Sequence, residues 1–108
     1  MRFNIKISED AARDLQDIHV YISADDSPAA ANHVVENIVK AINRLEELPH
    51  RGNYPSELLS MGVREYREIF FKPYRIIYGI SGSDVQVFLI TDGRRDMQAL
   101  LATRLLMS

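Results

Sequence analysis

Residues 63–80 read VREYREIFFKPYRIIYGI, and their pattern decides the fold. Lys72-Pro73 breaks the run, because proline has no N–H to give a strand ladder. On either side lie Tyr, Phe and Ile, side chains that fit a pleated surface. The spacing predicts one strand over 64–71 and a second over 74–80. In the second, Tyr74, Ile76 and Tyr78 share one face, while Arg75, Ile77 and Gly79 share the other. Ser81-Gly82-Ser83-Asp84 is a tight hairpin loop, and VQVFLI at 85–90 is a third strand.

Working outward toward the N-terminus, residues 49–63 are a connection rich in Gly, Pro, Asn and Ser. Before it, Ala31, Val34, Val35, Ile38, Ile42, Leu45 and Leu48 form one apolar stripe, predicting a helix over 28–48. Ser27 is its N-cap, Pro28 sits at N1 and Pro49 ends it. A first helix runs from Ser8 to about residue 24, with Ala11, Leu15, Ile18 and Ile22 on its buried stripe. Glu9 and Asp10 complement the positive end of its dipole. The short link between the helices makes them an antiparallel hairpin. RFNIKI at 2–7 alternates as a strand, and residues 97–106 read as a short C-terminal helix. The expected architecture is α+β, ordered β-α-α-β-β-β, with a helical hairpin packed on an antiparallel sheet. It occupies residues 1–108 as one domain.

With 108 residues, 46% hydrophobic and 26% charged, the chain is long enough to bury its own core. It contains no Cys, which excludes disulfides, thiolate metal sites and cysteine nucleophiles and suits a reducing cytoplasm. No apolar run is long enough to span a bilayer, and the N-terminus lacks a signal-peptide core. A cytoplasmic protein with no membrane partner is expected. The net charge of −2 argues against bulk or sequence-specific nucleic-acid binding. That charge is uneven. Residues 1–63 carry six basic and ten acidic side chains, against seven and five in residues 64–108. Six of those seven basic residues are arginine, whose forked guanidinium suits carboxylate and phosphate.

Candidate functional residues follow from this asymmetry. Arg67 and Arg75 are either a solvated network with Glu65 or Glu68, or an electropositive patch. Tyr74 and its same-face neighbours are sheet packing before they are a stacking platform. In GRRD (93–96), Gly93 is a position for positive φ, Asp96 is a helix cap, and Arg94 and Arg95 lie at the sheet rim. His19, His33 and His50 have no metal-ligand spacing, and no cofactor motif is present, so no metal or cofactor is expected. The C-terminal stripe of Met97, Leu100, Leu101, Leu105 and Leu106 either packs on the domain or docks a partner.

Four stretches resemble the RelE/ParE superfamily of toxins from bacterial type II toxin–antitoxin pairs, the ParE branch above all. They are ISEDAARDLQDIHVYI (7–22), SPAAANHVVENIVKAINRLEELPHRG (27–52), VREYREIFFKPYRIIYGI (63–80) and VFLITDGRRDMQALL (87–101). The resemblance implies a cognate antitoxin that wraps the toxin in a groove between hairpin and sheet. It also implies one of two activities. ParE-like members poison DNA gyrase by binding it, without catalysis. RelE-like members cut mRNA on the ribosome and place a Tyr or His near the C-terminus, but residues 96–108 contain no Tyr, His or Lys. The expectation is therefore a gyrase poison with no catalytic residues, whose target-binding surface is Arg67, Tyr74, Arg75, Arg94 and Arg95. An mRNA endonuclease is the alternative. A third reading is an inactive member that only binds its antitoxin, because the family's usual His before GRRD is Asp92 here.

Overall fold

The computed structural model describes residues 2–107. Strand β1 (Asn4–Ile7) leads into helix α1 (Glu9–Asp25), which is followed by α2 (Pro28–Asn43). Ser8 and Ser27 cap these helices, each accepting a 3.0 Å bond from the backbone N–H three residues on. After α2 a 3₁₀ turn (Arg44–Glu46) and a short helix α3 (Ser56–Leu59) lead to three strands. These are β2 (Tyr66–Phe71), β3 (Tyr74–Ser81) and β4 (Asp84–Asp92). Helix α4 (Met97–Leu101) and a π turn (Ala102–Leu106) follow β4. Among the described residues no helix is long and apolar enough to cross a membrane.

The sheet order is β1-β4-β3-β2. The 66–92 meander is antiparallel as expected, whereas β1 pairs in parallel with β4, so the sheet is mixed. Local periodicity marks β1 as a strand but carries no information on its neighbour's direction.

Each face of the sheet is covered. On one, Ile69, Ile76, Tyr78, Val85, Val87 and Ile90 pack against Ala11, Ile38, Ile42 and Leu45 of the helical side. On the other, Ile77 and Leu89 pack against Leu58, Met97 and Leu101. This second core explains why β3 is apolar on consecutive positions instead of alternating. A bulge in β4 serves it as well. Tyr78 pairs with Val87 and Ile77 with Leu89, so Phe88 is the extra residue. Its ring meets Tyr66 edge-on at 5.5 Å. The C-terminal stripe thus packs on the domain, with Leu106 left exposed.

Two departures from expectation have local causes. The second helix gives way to a 3₁₀ turn after Asn43 rather than continuing to 48. The tighter winding keeps Leu45 fully buried and swings Leu48 out to solvent. The turn is tied to the N-terminal strand, since Phe3 N–H donates to the Glu46 carbonyl at 2.8 Å. In the 49–63 connection, α3 forms because Leu58 has the second core to enter.

That connection is pinned from inside. The buried Tyr78 hydroxyl donates to the Pro49 carbonyl at 2.7 Å and accepts from Gly52 N–H at 3.1 Å. Position 52 must be glycine, because a Cβ there would lie 2.5 Å from that hydroxyl oxygen. Tyr78→Phe leaves two buried backbone groups without partners. It should cost about 1–3 kcal/mol in urea denaturation. An unchanged unfolding midpoint would show that the pin contributes nothing.

Candidate functional site

Between α1 and the far end of the sheet lies a cleft of about 450 Å³. Helix α1 contributes Asp14, Asp17, Ile18 and Tyr21. The sheet side contributes Tyr74, Ile90, Thr91 and Asp92, and the following loop adds Arg94 and Arg95. The floor is apolar, from Ile18 and Ile90, and the rim is polar. Tyr21 is 69% exposed, whereas Tyr74 is half-buried.

The local sequence builds this cleft. Tyr74 and Asp92 are cross-strand partners, which puts both on the α1 side of the sheet. Gly93 then lets the chain turn closely over β3. Its N–H donates to the Pro73 carbonyl at 2.8 Å, and a Cβ would lie 2.7 Å from Arg75 Cδ. Its φ is not positive, so close approach rather than left-handed backbone requires glycine here. Asp96 caps α4 by accepting from Ala99 N–H at 3.2 Å.

Charges in the cleft are largely paired. Asp92 accepts from Arg94 through the backbone N–H, Nε and Nη2 at 2.9, 2.9 and 2.5 Å. This guanidinium holds the Asp92 carboxyl below the usual carboxylate range, so it is ionised at neutral pH. Asp14 accepts from Ile90 N–H at 3.0 Å and from both terminal nitrogens of Arg104 at 3.1 and 2.9 Å. Arg95 makes no ion pair among the described residues, and its guanidinium donates to Thr91 Oγ1 at 3.4 Å. Burial, and then the Asp92 charge, push the Tyr74 phenol above its ordinary value. It therefore remains protonated, a hydrogen-bond donor rather than a base.

Of the five arginine and tyrosine positions singled out in the sequence, the structure brings together Tyr74, Arg94 and Arg95. Arg67 lies elsewhere. Its guanidinium donates to the Gly52 carbonyl at 2.9 Å and to Tyr54 Oη at 3.1 Å, and lies over the Tyr54 ring at 4.6 Å. It clamps the connection that Tyr78 pins. Arg75 is on the opposite face, with its side chain only 12% exposed. It forks onto Glu57 of α3 with two 2.7 Å bonds and onto Glu68 of β2 with a third. Arg75 is not a solvated surface charge, and half-buried Arg67 is engaged in holding the connection to the sheet.

The remaining titratable candidates also have structural partners. Tyr66 packs on Phe88, and His50 meets Phe3 edge-on at 6.5 Å. His19 Nε2 is 2.8 Å from Asn32 Oδ1, bridging α1 to α2, and His33 contacts Asn37. Among the described residues, no group of three or more His, Asp or Glu is placed to hold a metal ion.

Sequence reasoning missed the α1 wall. Asp14, Asp17, Ile18 and Tyr21 follow the i, i+3, i+4, i+7 spacing of one helix face. That face runs along the margin of the apolar stripe, and this spacing was the available signal. Tyr21 is the notable case, a large aromatic left exposed opposite Tyr74.

A small α+β fold with a polar-rimmed, helix-to-sheet cleft is thus defined, and the comparisons give it a family. A family profile described as the ParE toxin of the type II toxin–antitoxin system, parDE, matches residues 5–97. The chain belongs to this family. Among solved structures, the fold is similar to the chromosomal ParDE toxin–antitoxin system from P. aeruginosa. The TM-score is 0.72 at 23% identity, covering 84% of this chain and 96% of that one. A search of curated proteins gives no match.

The Arg75 cluster makes a pH-dependent prediction. The Arg75 hydrogen bond holds Glu57 below its ordinary 4.5, while burial raises Glu68 above the same value despite its own bond to Arg75. A lowered carboxylate adds stability above its unfolded pKa and loses it as pH falls through the folded value. Glu68 acts oppositely, its burial cost easing as it protonates. Glu57→Gln should therefore destabilise the protein by about 1 kcal/mol at neutral pH, the partly exposed pair being screened by solvent. The gap from the parent should close as pH falls below 4.5. A gap in the denaturation midpoint that stays constant into acid would contradict this origin.

Proposed function

We propose that this ParE-family chain is a DNA gyrase poison that acts by binding and is neutralised by a cognate antitoxin. On this reading it works in the cytoplasm, without cofactor or metal, and is not an enzyme. The target-binding surface is the α1–sheet cleft, lined by Tyr21, Tyr74, Arg94 and Arg95. One observation carries the reading. The cleft gathers two tyrosines and two arginines and, among the described residues, is lined by no His or Lys. RNA cleavage needs groups that move protons near pH 7. Protein recognition needs amphipathic rings and forked cations on a shaped surface, and tyrosine and arginine are enriched at such surfaces.

The direct test is purified protein with gyrase, scoring supercoiling and cleaved DNA together, beside mRNA integrity in a translating extract. Lost supercoiling or trapped cleaved DNA, with intact mRNA, is the expected result. Codon-linked mRNA cuts with unaffected gyrase would overturn it, and no effect on either would mark an inactive member. Arg95→Ala should raise the concentration that half-inhibits supercoiling by roughly tenfold, the loss of one charge-assisted contact. Its melting temperature should not change. Full potency in that variant would remove the cleft from the account.

A further inference from the structure

Pairing within the cleft leaves a specific remainder. Three carboxylates and two guanidiniums line it. Asp92 is consumed by Arg94, through three hydrogen bonds. Asp14 is consumed by Arg104 and by Ile90 N–H. The remaining cation is Arg95, whose charge reaches Asp92 through space but which makes no direct ion pair among the described residues, and the remaining anion is Asp17, which makes none either. The same cleft is lined by apolar Ile18 and Ile90 and by the phenolic rings of Tyr21 and Tyr74. The cleft therefore offers one charge of each sign rather than a field of one sign.

We propose that the cleft takes a protein segment carrying both an acidic and a basic side chain, the acid on Arg95 and the base on Asp17. An apolar or aromatic residue between them lies on Ile18 and Ile90. This deepens the proposed function and rests on the cleft being the target surface. A nucleic-acid strand is the wrong occupant. Duplex DNA carries a negative charge about every 1.7 Å of its axis, and binding draws its strength from neutralising several phosphates. Laid in this cleft, a strand would place phosphates beside Asp17, with Arg95 as the one arginine not held in a direct ion pair to offset them. A short peptide with both signs satisfies Arg95 and Asp17 at once. Tyr21 and Tyr74 give it ring area and hydroxyl donors at low cost in side-chain entropy.

The test uses three probes on the intact protein: purified gyrase, a short random-sequence DNA duplex, and a displayed library of random peptides. Asp17→Lys and Arg95→Glu are compared with the parent, and Asp17→Asn and Arg95→Gln serve as milder variants. Melting curves check that all are folded. The parent should enrich peptides that carry an acid and a base flanking an apolar residue, and each reversal should abolish that enrichment. The duplex should not bind the parent at physiological salt. Each reversal should weaken gyrase binding by about tenfold or more. Duplex binding that Arg95→Glu removes would overturn the proposal, as would enriched peptides of one sign only. Gyrase binding that neither reversal alters would overturn it too, while leaving the gyrase reading standing. Unaffected gyrase with enriched two-sign peptides would do the reverse.

Discussion

The Asp14 carboxylate joins parts of the molecule that lie on opposite faces of the sheet. Strand β1 ends at Ile7, paired with Val87, while β4 runs on to Asp92. Beyond Val87 the outer edge of β4 has no strand beside it among the described residues, and edge groups without partners are costly once covered. Asp14 takes the Ile90 N–H at 3.0 Å, and Arg104 gives a 2.9 Å bond to the Phe88 carbonyl. The two side chains then close on each other as a forked pair, each less than a fifth exposed. One ion pair thus replaces a missing stretch of strand. It also sets how closely α1 approaches β4 and anchors the C-terminal segment that covers the second core.

The cleft is a consequence of that arrangement. With Asp14 fixed at β4, the next turns of α1 lean over the sheet's end and present Asp17, Ile18 and Tyr21 to Tyr74 and Asp92. The bulge at Phe88 matters for the same reason. Before it, Val85 and Val87 face the helical hairpin, and after it Ile90 does. Without the extra residue, Ile90 and Asp92 would face the other core and Tyr74 would lose its partner across the cleft. Rigid elements on both sides then hold aromatic and charged groups in place, as a binding surface requires.

Much of the fold is legible in the chain because it is local. Ser8 and Ser27-Pro28 announce helix starts that the structure realises with side-chain caps. The run 64–80 with its Lys72-Pro73 break announces a hairpin, and β2 and β3 form there. What escaped the reading depends on distant partners. Parallel pairing of β1 with β4 is decided by packing, not by alternation. The short helix at Ser56–Leu59 needs the second core before it has a reason to form. Arg75 illustrates the same limit at the site. Its pair with Glu68 was one of the sequence's open readings, whereas Glu57, 18 positions earlier, is brought against it only by the fold. Tyr74, Arg94 and Arg95 were legible because the strand period and the loop place them at one end of the sheet. Tyr21 was not, since an aromatic beside an apolar stripe reads as core.

On the proposed reading, this ParE-family chain acts by occupying gyrase through the cleft and not by turning over a substrate. Titrating the protein against a fixed, high concentration of gyrase tests it most directly, with supercoiling followed over time at each ratio. The account predicts inhibition that saturates at a fixed molar ratio of protein to gyrase and does not deepen with time. Complete inhibition at a small fraction of that ratio, growing steadily as incubation lengthens, would be catalysis and would contradict it.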